Sequence, residues 1–153
     1  MGAAYFYHLT RSSAEKTLRS LLGKSLQAGW RVVVRGRSDA FLDRLDEMLW
    51  LRPEDGFLAH GRAGGAHDAD QPVLLTTGAD MPNAAACLMS VEGADVTPEE
   101  VQALDRVCIL FDGGNDDAVA HARTQWKALT GVGCAAQYWS EEGGGWEKKA
   151  ESG

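Results

Sequence analysis

Several things are scarce in this 153-residue chain, and each scarcity removes a class of function. Basic charge is short: 15 Lys and Arg stand against 22 Asp and Glu, a net charge of −7. Proteins whose main task is to grip a nucleic-acid backbone carry the opposite imbalance. No strong direct nucleic-acid binding is expected, and a role near DNA would run through another protein. Cysteine is sparse and odd in number; Cys87, Cys108 and Cys134 each sit in or beside an apolar run, so buried free thiols are expected rather than a disulfide framework. No apolar run approaches the ~18 residues of a membrane span. Met1 to Leu9 lacks the basic head and cleavage pattern of a signal peptide, so the expected location is the cytoplasm.

Enzyme signatures are also missing. The turn after the first hydrophobic strand reads Thr10, Arg11, Ser12, Ser13, with neither a Gly-x-Gly-x-x-Gly nor a Gly-x-x-x-x-Gly-Lys-Ser/Thr pattern to cradle a phosphate. Gly61, Gly64 and Gly65 precede no convincing helix and so lack amides aimed at an anion. His60, His67, Asp68 and Asp70 fall in a Gly-rich loop at a spacing that fits no metal site, and no metal is expected. No serine occupies a Gly-x-Ser-x-Gly elbow. Neither a catalytic set nor a cofactor is expected.

What is present is an ordinary globular composition, 44% hydrophobic and 24% charged, in which strand and helix patterns alternate. Ala3 to Leu9 reads as a strand. Ser12 with Glu15 has the form of a capping box ahead of Leu18, Leu21, Leu22 and Leu26 at helical spacing. Arg31 to Gly36 is an all-apolar strand at its centre, so the first unit is strand, helix, strand with parallel strands. Ser38 caps a helix whose Phe41, Leu42, Leu45, Met48 and Leu49 share a stripe, and Arg52 with Pro53 ends it. Asp55 to Gln71 has no periodicity and reads as a long surface loop.

Further strands are expected at Val73 to Thr77, Cys87 to Val91, Arg106 to Phe111 and Ala135 to Ser140. A short helix capped by Thr97, Pro98 and Glu100 lies between the second and third of these, and a longer helix from Asp116 to Thr130 precedes the last. The expected architecture is a three-layer α/β/α sandwich with a mostly parallel central sheet, Rossmann-like without a phosphate-binding loop. One domain over 1–142 and a flexible C-terminal extension over 143–153 describe the organisation.

Binding chemistry concentrates on the last helix. Arg123 and Lys127 lie one turn apart, with Trp126 between them. Val119, Ala122, Trp126 and Leu129 make an apolar stripe, which leaves two readings of Trp126, core residue or ligand platform. For a ligand, two cations and an indole suit a carboxylate joined to an aromatic ring. Trp50, Leu51 and Phe57 similarly leave more apolar surface than one helix end needs.

Four segments together resemble a known family: Tyr5, Phe6, Tyr7; then Leu45, Asp46, Leu49, Trp50, Arg52, Pro53; then Phe57, His60, Ala63, Gly64; and finally Arg123, Trp126, Lys127. The chain resembles the chi subunits of bacterial DNA polymerase III, accessory proteins of the clamp-loader assembly. That resemblance implies a non-enzymatic adaptor that binds the acidic C-terminal tail of single-stranded DNA-binding protein, which ends in phenylalanine with a free carboxylate. Arg123 would hold the terminal carboxylate, Lys127 the preceding acids, and Trp126, with help from Phe111, would wall the ring pocket. It also implies a second surface for a psi-like clamp-loader subunit or a helicase, falling on Trp50, Arg52, Pro53, Phe57 and His60. A basic position found one turn before Arg123 in some relatives is Val119 here, which implies weaker tail binding. The nucleotide-binding enzyme on a Rossmann-like sheet is the alternative.

Overall fold

The first strand, β1 (Ala3–Leu9), is followed by α1 (Ala14–Gln27), β2 (Val32–Arg35), α2 (Asp39–Leu51) and β3 (His60–Arg62). A single 3-10 turn at Asp68–Asp70 leads to β4 (Val73–Thr76) and β5 (Cys87–Ser90). The chain continues through α3 (Pro98–Ala103), β6 (Arg106–Asp112), α4 (Asp116–Thr130), β7 (Ala135–Ser140) and β8 (Glu147–Ser152). This is a computed structural model that describes residues 2–51, 60–141, 143 and 145–152, the side chains of Trp50 and Leu51 excepted.

The eight strands form one sheet in the order β3-β4-β2-β5-β6-β1-β7-β8. Every pairing is parallel except β7 with β8. The chain moves toward β3 through α1 and α2 and toward β7 through α3 and α4. Right-handed crossovers therefore put the two helix pairs on opposite faces. One core packs Leu18, Leu22, Leu42, Leu45 and Leu49 of α1 and α2 against Val32, Val34, Leu75 and Leu110. The other packs Val101, Ala122 and Leu129 of α3 and α4 against Phe6, Val33, Leu74 and Ile109. The Val32, Val33, Val34 run is apolar throughout because both of its faces are covered.

The three-layer, mostly parallel architecture is the one expected, and the three thiols are free and buried. Three local expectations are revised. The N-cap of α1 is Ser13, whose side chain accepts from Lys16 N, because the Ser12 hydroxyl is committed to Glu141. The segment read as a bare loop contains β3, which adds to the edge of β4. Finally, Glu147–Ser152, read as loose, pairs antiparallel with β7 as an edge strand. Its charged side chains gave no alternating pattern because they are exposed.

Candidate functional site: the α4 face

Two strand-to-helix turns at the carboxyl edge of the sheet are where an α/β protein would hold an anionic ligand. Both are already filled from within. At the β1–α1 turn, Oε1 of Glu141 accepts from the backbone N–H groups of Thr10 (3.0 Å), Arg11 (2.8 Å) and Ser12 (2.7 Å), and Oε2 accepts from the Ser12 hydroxyl at 3.0 Å. Burial raises the Glu141 pKa, but these hydrogen bonds outweigh it and hold the carboxyl below its ordinary value.

At the β2–α2 turn, Glu92 does the same job. It accepts from the N–H groups of Arg37 and Ser38, each at 3.1 Å, and from the Ser38 hydroxyl at 2.8 Å. Glu92 stands at φ +58°, a left-handed conformation that a non-glycine residue adopts only when held there.

The cations of α4 lie elsewhere. Asn115 caps the helix by accepting from Ala118 N at 3.0 Å, and Asp116 and Asp117 place negative charge at the positive helix end. The preceding turn needs Gly113, because a Cβ there would run into the His8 ring and the Leu9 carbonyl. Ala122 and Leu129 are buried, and they set the rotation of the helix. Arg123 and Lys127 then emerge exposed on one flank, about 6 Å apart along the axis. Among the described residues neither has a carboxylate within 4.0 Å.

Trp126 is half-buried, packing edge-on against Phe6 at 5.3 Å and Tyr138 at 6.1 Å between ring centroids. Phe111 is 94% buried (6% exposed) at the end of β6. It touches Tyr138 at 5.9 Å and His8 at 5.2 Å, and it borders a crevice of about 450 Å³ together with His121 and Gln125. That crevice lies on the flank of α4 opposite to Arg123 and Lys127. Phe111 is thus joined to Trp126 through Tyr138 rather than standing beside the cations.

His8 and Tyr138 were not among the residues singled out from sequence. They share a 2.6 Å hydrogen bond between His8 Nδ1 and the Tyr138 hydroxyl and complete the aromatic wall under α4. The available signal was strand periodicity: Phe6 and His8 on β1 share a face, and that face is also the one of Phe111 and Tyr138.

Of the second expected surface, Arg52, Pro53 and Phe57 lie outside the described residues, and Trp50 is placed only by its backbone at the end of α2. His60 is buried at the start of β3, with Nε2 2.8 Å from Asp46 Oδ1 of α2. It braces the edge strand against that helix instead of facing outward.

The chain is thus an open, mostly parallel α/β sheet whose two anion cradles are filled from within and whose α4 carries an exposed pair of cations. The family model for "DNA polymerase III chi subunit, HolC" matches residues 1–137. The chain belongs to this family of DNA polymerase III accessory subunits, and its role is that of a replisome accessory protein. No curated protein matches the chain. Among the described residues no helix is long and apolar enough to cross a membrane.

Proposed function

We propose that this protein is a non-catalytic adaptor that binds the acidic, phenylalanine-ending tail of single-stranded DNA-binding protein and links it to the clamp loader. The observation that carries this reading is the α4 face: Arg123 and Lys127, exposed and without a nearby carboxylate among the described residues, beside a half-buried indole. The tail's terminal carboxylate meets the Arg123 guanidinium, whose fork of donors suits a carboxylate. Lys127 neutralises the acids before it. The terminal ring lies against Trp126, which Phe6 and Tyr138 hold from beneath; Phe111 supports this wall from below through Tyr138.

The second surface, expected at Trp50, Arg52, Pro53, Phe57 and His60, would take a psi-like clamp-loader subunit or a helicase. The membership of the chain in the chi family supports both assignments. The competing reading, a nucleotide-dependent enzyme on the same sheet, is opposed by Glu141 and Glu92, which occupy the amides of two turns where such an enzyme could hold a phosphate.

Calorimetry with an acidic peptide ending in phenylalanine, and separately with ATP and NAD, tests the choice. The adaptor requires peptide binding that is lost in Arg123→Ala. Nucleotide binding without peptide binding would overturn it.

A further inference from the structure

On the opposite face of the sheet, between α1 and the β1–β7–β8 end, lies an open groove of about 390 Å³. Tyr5, Tyr7, Trp139 and Trp146 line it, with Lys16 and Lys24 of α1 along one side. Trp146 is 40% exposed, an unusual state for an indole in a chain with a well-formed core. It is nonetheless positioned, meeting the Tyr7 ring edge-on at 5.3 Å. Both lysines are exposed, and among the described residues neither has a carboxylate within 4.0 Å. Arg106 lies over the Tyr5 ring at 4.4 Å and continues the positive charge beyond the groove. Trp139 lies near the end of β7 and Trp146 directly before β8, and the antiparallel pairing of β8 with β7 holds the two sides of this end of the groove together.

We propose that this groove binds a short stretch of single-stranded nucleic acid, with bases against Trp139 and Trp146 and phosphates at Lys16 and Lys24. Flat aromatic faces flanked by cations are what a nucleotide chain requires, since every base offers a π face and every link a negative charge. The cations beside the indoles are lysines, point charges suited to phosphate, whereas a carboxylate-ended peptide is better met by the guanidinium that α4 carries. Lys16 and Lys24 are eight residues apart on α1, about 12 Å along the axis, so they engage separate phosphates. The amides at the start of α1 take no part, because Glu141 already occupies them. The net charge of −7 keeps binding weak and short-range, so the groove serves a strand already brought close. This inference stands on the groove alone and does not depend on the α4 assignment.

The test is titration of the full chain with labelled (dT)8, read by anisotropy and by tryptophan quenching, with inorganic phosphate and an acidic peptide ending in phenylalanine as the other arms. The expected result is (dT)8 binding at low salt whose logarithm falls with log salt at a slope of about −1.4 for two phosphates. Trp146→Ala and the double change Lys16→Glu, Lys24→Glu should each weaken it about fivefold or more. Both variants alter exposed side chains and should melt with the parent, and Arg123→Ala should bind (dT)8 as the parent does. No binding of (dT)8 at millimolar protein overturns the proposal, as does binding that neither variant weakens. Displacement of the oligonucleotide by the acidic peptide in Arg123→Ala would also overturn it, by making the groove a peptide site.

Discussion

Glu141 and Ser12 are 129 residues apart and meet twice, backbone N–H to Oε1 at 2.7 Å and hydroxyl to Oε2 at 3.0 Å. The carboxylate that closes β7 thereby serves as the permanent anion of the β1–α1 turn. A fold that would otherwise hold a phosphate there holds its own side chain.

Removing that carboxylate strands four donors. Glu141→Ala should lower stability by about 1.5–3 kcal/mol, the range for hydrogen bonds to a charged group. The Glu141 pKa is depressed on folding, so its contribution is present above the unfolded carboxylate value near ~4.3 and is lost as pH falls through the folded value. Urea unfolding of parent and variant at pH 7 and at pH 3 checks this. A deficit that does not shrink at the lower pH would count against it.

Glu100 offers a second case. Its oxygens take Arg35 Nη1 at 3.0 Å and Nη2 at 2.7 Å, with side-chain exposures of 6% for Arg35 and 15% for Glu100. The same guanidinium also donates to the carbonyls of Gly78, Ala79 and Asp95 and so ties the ends of β2, β4 and β5 to α3. Burial raises the Glu100 pKa, while Arg35 and the Thr97 N–H more than reverse it. Glu100→Ala leaves Arg35 buried without its counter-ion and should cost about 3–5 kcal/mol. Thermal unfolding that matched the parent would refute the brace.

For the tail site, Arg123→Ala should remove about 1.5–3 kcal/mol of peptide affinity, the worth of a charge-assisted hydrogen bond. Lys127→Ala should remove less, about 0.2–1 kcal/mol, and its effect should fade in high salt because the pair it makes is exposed. Calorimetry at two salt concentrations separates the two, and equal losses at both would contradict these roles.

Trp126 should behave as two residues in one. Trp126→Tyr retains a ring against Phe6 and Tyr138 and should bind the peptide within a few-fold of the parent, whereas Trp126→Ala should lose both affinity and stability. Loss of stability in Trp126→Ala with unchanged peptide affinity would make the indole core alone.

The elements whose patterns are set by burial are legible in the sequence. Val32 to Val34, the α2 stripe and the Thr97–Glu100 capping box all fall where their spacing places them. What escaped depended on contacts distant in sequence. Ser12 looks like a cap until Glu141 claims its hydroxyl. Residues 147–152 carry no strand pattern, because an exposed edge is decided by its neighbour β7. The two cations of α4 were legible as a pair; the wall beneath them was not, since Phe6, His8 and Tyr138 come together only in the sheet.

The placement of β1 between β6 and β7 also governs when this chain can fold. Ala3 aligns with Arg106 on one side and with Ala135 on the other, so the first strand made is among the last to find its neighbours. During synthesis, at about 5–20 residues per second, β1 waits for nearly the whole chain to emerge. Such distant pairings slow folding in general. A nascent chain stalled before residue 135 therefore presents a bare β1 edge, and it is at this stage, not in the finished protein, that the sheet is most open to mispairing.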